Sequence, residues 1–549
     1  MKKLLILLFL LFAVPSFSQT TISGKVTDAN GKAPILAHAH IGKYNEDQNK
    51  STSTECSKDG LFSIHIPKAG IYSLRISAVD HQEINIPLIL DEKDKNVVLN
   101  IQLHANPFNK EPEKITVIGD WNKFAFASAE QMTPVRANDA LTYYTYERIA
   151  TGDSLSYQLM GIAEGGHSVN GIKADYFTYD GGGDYRSVIR THAGEKVTIT
   201  FDPSKLNYAE DSNLPVVEIK NNPFLKKAYE LTIAIEKMRQ AAMTVPPGGG
   251  AATMPVEKYQ GMIDNIKHIY AEAVNSGNTK FSQFAAVMLA KEFNPTSDFG
   301  SENAEMIVRS VPATSLLWVM APYEVTSIVS LTDKKTGDAY LKELKKNPEK
   351  IIRAMAYADE LDKAVKGKDT KEWKRLYSLL KGEYGDVPEI KWILAGNNPD
   401  AVVQVGKPVP EFEVVLLDGS GKVSNTSMLG KYYMIDFWAT WCGPCVREMP
   451  AIHKAYDRFK GRKGFDIISL SMDAAESQIA PFRAKKWKMP WKNAFIPGVF
   501  EAELAKKFEV AGIPKPVLVG PDGKVIAMQE DLRGETLEKT LAKYLGESN

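Results

Sequence analysis

Asp436-Phe437-Trp438-Ala439-Thr440-Trp441-Cys442-Gly443-Pro444-Cys445 carries two of the three cysteines of this 549-residue chain. The apolar run before it, Tyr432 to Trp438, reads as a buried strand feeding a helix that Pro444 starts. Cys442 then stands near the first helical turn, where unpaired backbone N–H groups and the positive end of the dipole favour a thiolate. With two residues between them, Cys445 can close a disulfide onto Cys442 within the same turn. The pair therefore reads as a redox dithiol, one sulfur attacking and the other resolving. A zinc site needs two further ligands, and only His453 lies nearby with no second Cys-x-x-Cys, so no metal is expected here.

Working outward, residues 405–549 alternate strand and helix, the pattern of a mainly parallel sheet covered on both faces. Phe465 to Ser471 predicts the next strand, and Gln478 to Lys486 and Phe500 to Phe508 predict helices. Val517 to Val519 and Lys524 to Met528 flank the turn signal Pro521-Asp522-Gly523, and Glu535 to Leu545 is a closing amphipathic helix. Pro450, about two turns into the first helix, is expected to kink it. The order β-α-β-α-β-β-α is that of a thioredoxin fold.

Several short motifs then line up. Gly406-Lys407-Pro408-Val409-Pro410-Glu411-Phe412, Leu417-Asp418-Gly419, Leu429-Gly430-Lys431, the Trp-Cys-Gly-Pro-Cys segment, Arg447-Glu448-Met449-Pro450 and Gly512-Ile513-Pro514 occur in this order. In sequence and spacing they resemble the TlpA/ResA-like branch of the thioredoxin superfamily. That resemblance implies an exported thiol-disulfide oxidoreductase, commonly a reductant in the cell envelope and often linked to cytochrome c maturation. It implies no cofactor beyond the redox-active Cys442–Cys445 disulfide.

Position by position, Cys442 resembles the exposed nucleophile and Cys445 the buried resolving thiol. Asp436 falls where thioredoxins keep a buried carboxylate, which can take the Cys445 proton if desolvation raises its pKa. Pro514 resembles the cis-proline facing the dithiol, leaving the Ile513 backbone to pair with an extended substrate. Trp441, Gly443, Pro444, Ile513 and Pro514 form the expected substrate groove; Trp438 reads as core. Lys515-Pro516 departs from the small hydroxyl residues that the family often has there. Gly443-Pro444 is the thioredoxin dipeptide, which accompanies a potential of about −270 mV, against about −120 mV for the oxidant DsbA, and so favours a reductant. A peroxidase shares the fold but needs a threonine three residues before its cysteine. Here position 439 is Ala, and Thr440 is two before Cys442.

The remainder of the chain is different in kind. Thr21 to Leu103 alternates apolar and polar residues between turns at Asn30-Gly31, Asp59-Gly60 and Ala69-Gly70, as in a β-sandwich. It resembles carboxypeptidase-regulatory or transthyretin-like modules. His38, His40 and His65 read as face-marking residues rather than metal ligands, and Cys56 as a lone, partly buried thiol. Lys114 to Pro203 continues in strands and resembles early-set immunoglobulin-like domains. Its aromatics read as core and turn residues before they read as a carbohydrate platform. Five segments from Phe224 predict helices: Phe224 to Gln240, Val256 to Val274, Lys280 to Phe293, Glu302 to Val319, and Asp338 to Leu380 in pieces. Met254, Met262, Met288, Met306 and Met320 are expected in packing, and Pro246 to Ala252 as a linker.

The whole is expected to be multidomain: N-terminal all-β sandwich modules, a central α-helical region and a C-terminal α/β thioredoxin fold. The divisions are a signal peptide at 1–18, a sandwich at 19–105, an early-set-like β domain at 112–205, helices at 222–397 and the thioredoxin-like domain at 403–549. Lys2 and Lys3, the apolar run Leu4 to Val14 and Ser16-Phe17-Ser18 have the form of a cleaved leader, too short to span a bilayer. The formal charge is zero, and 0 − 2 = −2 once the leader lysines are removed, so nothing in it recommends nucleic acid. The expected partners are protein thiols and disulfides and a membrane electron donor. The alternatives are an envelope binding or scaffold protein with an accessory thioredoxin domain, or a thiol peroxidase.

Overall fold

The computed structural model describes residues 20–44, 51–106, 114–125, 128–137, 140–162, 174–181, 184–203, 214–242, 255–294 and 299–546. The expected leader, the Pro246 to Ala252 linker and Met254 lie outside these residues. The described residues form two compact units, one ending at 349 and the other beginning at 350. The helical stretch expected as one region, 222–397, is thus shared between them.

The first unit opens with two four-stranded sheets. One has the order Val216–Ile219, Asn96–Gln102, Thr20–Thr27, Leu61–Ile66; the other Thr52–Glu55, His38–Lys43, Gly70–Ser77, Ile84–Leu90. Strict alternation sets the faces: in Leu61–Ile66 every second residue is buried. The edge strand Val216–Ile219 comes from beyond the second β segment, pairing antiparallel with Asn96–Gln102. Five- and three-stranded sheets follow between Thr116 and Phe201 around Val117, Tyr157, Leu159 and Phe201. His38 and His40 share a strand and pack on Tyr179, with His38 ring centroids 4.8 Å and His40 4.6 Å from it. His65 lies on the other sheet. Burial pulls the His40 pKa down to about 4. Cys56 is buried, which pushes its thiol up to about 12 and leaves it inert.

Helices Pro223–Ala242, Val256–Asn275 and Thr279–Lys291 fall close to expectation. The helix expected from Glu302 to Val319 is two elements, Gly300–Ser310 and a 3-10 turn Leu316–Met320, because Pro312 cannot continue the ladder. Glu324–Ser330, a short helix, was not expected from the sequence.

The second unit begins with three helices, α1 (Lys350–Lys366), α2 (Thr370–Tyr384) and α3 (Pro388–Gly396), sharing a core of Leu361, Leu376, Leu380, Tyr384 and Ile390. The rest is β1 (Glu413–Val415), β2 (Lys422–Ser424), β3 (Tyr433–Trp438), α4 (Gly443–Phe459), β4 (Asp466–Ser471), α5 (Ile479–Lys485), β5 (Lys492–Phe495), α6 (Glu503–Lys507), β6 (Lys515–Val519), β7 (Val525–Met528) and α7 (Gly534–Leu545). The main sheet has the order β5-β4-β3-β6-β7. It is mixed rather than mainly parallel: β3–β4 and β4–β5 run parallel, while β3–β6 and β6–β7 are antiparallel. The β6–β7 reversal follows from the hairpin at Pro521-Asp522-Gly523, where Gly523 takes a φ of 75° that suits glycine. The β1–β2 hairpin and four-residue β5 escaped the sequence reading because strands this short carry too little periodicity.

Central position explains β3. Paired on both sides, it is buried along its whole length, hence its near-continuous apolar run. Tyr433, Ile435 and Phe437 join Phe412 and Phe508 on one face. Met434 and Trp438 face the other way, toward Met449, Ile452 and Phe459 of α4 and Leu537 and Leu541 of α7. Each such large side chain contributes about 1.5–3 kcal/mol by leaving water. The strand alternation therefore turns Asp436 toward the α4 face, between Met434 and Trp438. α4 continues through Pro450 to Phe459.

Candidate active site: a dithiol over a buried carboxylate

Cys442 is the N-cap of α4, with Gly443 and Pro444 filling the first helical positions. Its Sγ accepts a hydrogen bond from the Cys445 N–H at 3.1 Å. The two sulfurs are joined as a disulfide, with Cα atoms 5.3 Å apart. Because Pro444 has no N–H to offer, the Cys445 amide is the helix donor aimed at this sulfur. Cys442 was expected to be the exposed sulfur, yet in this oxidised form it is 4% exposed, against 2% for Cys445. Both pack into the apolar cluster of Trp438, Ala439 and Met449, so accessibility differs little between them while they are bonded.

Asp436 lies beneath this dithiol face, 2% exposed. Burial pushes its pKa up to about 7; the Glu448 charge adds to the rise, whereas a Ser469 hydrogen bond and Arg533 oppose it. The Ser469 hydroxyl donates to Asp436 Oδ2 at 3.4 Å and accepts from Trp491 Nε1 at 2.8 Å. Trp491 thus occupies an acceptor position on Ser469 and leaves its single proton for the carboxylate. Ser469 sits opposite Asp436 on β4. Trp491 comes from the approach to β5, which sequence spacing alone could not bring there.

The other wall is the loop before β6. The Ile513–Pro514 peptide is cis, and the Ile513 carbonyl oxygen lies 3.7 Å from Cys442 Sγ. Arg533 donates to the Pro514 carbonyl at 2.7 Å, and the Gly534 N–H donates to Glu448 at 2.8 Å. These two bonds tie α7 to the proline loop and to α4. Lys515, the departure from the family pattern, points away from the dithiol. Its Nζ donates to the carbonyls of Phe508 and Glu509 at 2.6 and 2.7 Å, at the end of α6, where a cation is favoured. Burial draws its pKa down to about 8 against the pull of Glu509.

Trp441 is 53% exposed and meets Phe500 edge to face, with ring centroids 6.5 Å apart. Thr440 is pinned: its N–H and hydroxyl donate to Asp473 Oδ1 at 3.0 and 2.6 Å, and Ser471 donates to the same carboxylate at 2.7 Å. Asp473 is fully buried, and no motif in the sequence marked it. Asp473→Ala should leave these donors unsatisfied and destabilise the second unit by about 2–4 kcal/mol. A urea midpoint unchanged from the parent protein would refute that role.

A disulfide at a helix N-terminus above a protonatable carboxylate, on a mixed five-stranded sheet, defines a thioredoxin-type oxidoreductase. Residues 430–525 match a family model described as thioredoxin-like. The thiol-disulfide oxidoreductase ResA of Bacillus thuringiensis subsp. konkukian is 33% identical over 143 residues, 26% of this chain and 78% of that one. On that likeness, the chain belongs to the ResA-type thiol-disulfide oxidoreductases. Probable nucleoredoxin 1 of Arabidopsis thaliana is 33% identical over 123 residues, 22% of this chain and 20% of that protein. Among solved structures, the thioredoxin domain of a Bacteroides vulgatus thiol-disulfide oxidoreductase shares 29% identity, covering 26% of this chain and 99% of that one at a TM-score of 0.24. Among the described residues no helix is long and apolar enough to cross a membrane, and no group of three or more His, Cys, Asp and Glu could hold a metal.

Proposed function

We propose that this protein is an exported reductase of protein disulfides in the cell envelope, working through Cys442 and Cys445. The placement of the dithiol, at the α4 N-terminus beside the Ile513 carbonyl and on the Asp436 face, is the observation that carries the reading. In the reduced enzyme, the Cys442 thiolate attacks one sulfur of the substrate disulfide and expels the other as a thiolate. Cys445 gives its proton to Asp436 and attacks Cys442 Sγ, releasing the second substrate thiolate and closing the disulfide that the structure holds. Two electrons pass to the substrate, and a dithiol donor at the membrane must return them. Trp441, Gly443, Pro444, Ile513 and Pro514 shape the groove.

The Lys2, Lys3 and Leu4 to Val14 pattern supports export, and the family resemblance supports a place in cytochrome c maturation. On this reading the modules at 19–105 and 112–205 and the helices of 222–397 position the redox domain, 403–549, or select its partners.

Titrating the purified protein against a glutathione or dithiothreitol series tests the direction of electron flow. We expect a potential near the about −270 mV of thioredoxin. A value near the about −120 mV of DsbA would make it an oxidant, and failure to titrate would refute the dithiol.

A further inference from the structure

One aromatic side chain on the rim of this site belongs to neither the thioredoxin fold nor any core. Trp392 sits on α3, whose buried side holds Ile390 and Leu394. Two residues from each, Trp392 projects away from that side and is 64% exposed. Its ring edge nevertheless stands 3.7 Å from where a Cβ on Gly512 would lie. Gly512 precedes Ile513, whose carbonyl is 3.7 Å from Cys442 Sγ. On the same side of the unit, Phe500 faces Trp441 and also lines a cavity of about 530 Å³ with Leu394 and Ala395 of α3.

We propose that Trp392 is a specificity residue for the dithiol, selecting polypeptide disulfides in which a bulky apolar side chain flanks the cysteine. The inference rests on the disulfide-reductase reading above and extends it. The dithiol itself fixes the occupant. Exchange requires an incoming sulfur to reach Cys442, so the segment carrying it passes the Ile513 carbonyl and runs on toward Gly512. The step from Ile513 to Gly512 is about 3.8 Å of chain, close to one residue of an extended substrate. A side chain one or two places from the substrate cysteine therefore arrives at the Trp392 ring. Exposed aromatics of this kind carry recognition when a partner desolvates them.

The test uses the reduced full-length protein in single-turnover reactions with three probes. Two are disulfide peptides with a quenched fluorophore, one with Phe beside the cysteine and one with Ser; the third is hydroxyethyl disulfide. Trp392→Ala should lower the rate constant for the Phe peptide about five- to tenfold, the scale of one aromatic contact. The Ser peptide, the small disulfide and the dithiol potential should keep their parent values, and Trp392→Phe should restore most of the loss. Equal losses on both peptides, or no loss, would overturn the proposal while leaving the reductase reading intact. If the parent protein reduces none of the three probes, the reductase reading itself fails and the proposal falls with it.

Discussion

Cys445→Ser is expected to abolish turnover and to leave the protein covalently joined to its substrate. Cys442 at the N-cap keeps its helix donor in this variant, because the N–H of residue 445 is backbone. It still attacks, but nothing inside the helix can displace the substrate from it. Turnover should fall by at least about a thousandfold, the scale on which a missing member of a reacting pair is felt. Cys442→Ser should lose turnover equally yet form no adduct, since Cys445 lies inside the first turn of α4 and lacks the N-cap position at which the helix donor favours a thiolate. Mass spectrometry after mixing each variant with an insulin-type disulfide substrate distinguishes the two. An adduct on Cys442→Ser and none on Cys445→Ser would reverse the order of attack. Losing the disulfide should change stability little, because the loop it closes spans only a three-residue separation.

How much of this was legible in the sequence depends on the range over which each interaction is built. Cys442, Cys445 and Pro444 announce themselves because strand, cap and helix are contiguous, so local rules position them. The Asp436 face could likewise be read from alternation along a single strand. Ser469, Trp491 and Asp473 were not legible: each reaches the site through the register of a neighbouring strand or a loop tens of residues away, and Ser and Trp have no distinctive spacing. The mixed sheet was missed for a related reason. Strand direction is set by connections, and the short β5 and β1–β2 hairpin left no period to count. Trp392 was hidden more completely, since helical periodicity assigned it to a region that the sequence treats as separate from the redox domain.

Asp436→Asn should make the oxidised protein more stable at alkaline pH while slowing its chemistry. The carboxyl titrates near 3.9 in an unfolded chain and at about 7 in the fold, chiefly through burial, with Glu448 adding to the rise. A raised folded pKa means the native state holds a proton that the unfolded state has lost. The stabilisation is therefore complete below pH ~4 and is lost progressively as pH rises through about 7. Three units correspond to about 4 kcal/mol at most. Asn carries no charge to bury and can still accept the Ser469 hydrogen bond. Urea unfolding followed by tryptophan fluorescence should find parent and variant close at pH 4, and the variant ahead by up to about 4 kcal/mol at pH 8. The same substitution removes the proton acceptor for Cys445. Release of the second substrate thiol should slow about a hundredfold, the lower end of what a positioned base contributes, and lose its rise with pH around 7. A variant that is less stable at pH 8, or that keeps the parent pH profile, would show that Asp436 is held ionised by a partner and is not the group receiving the proton.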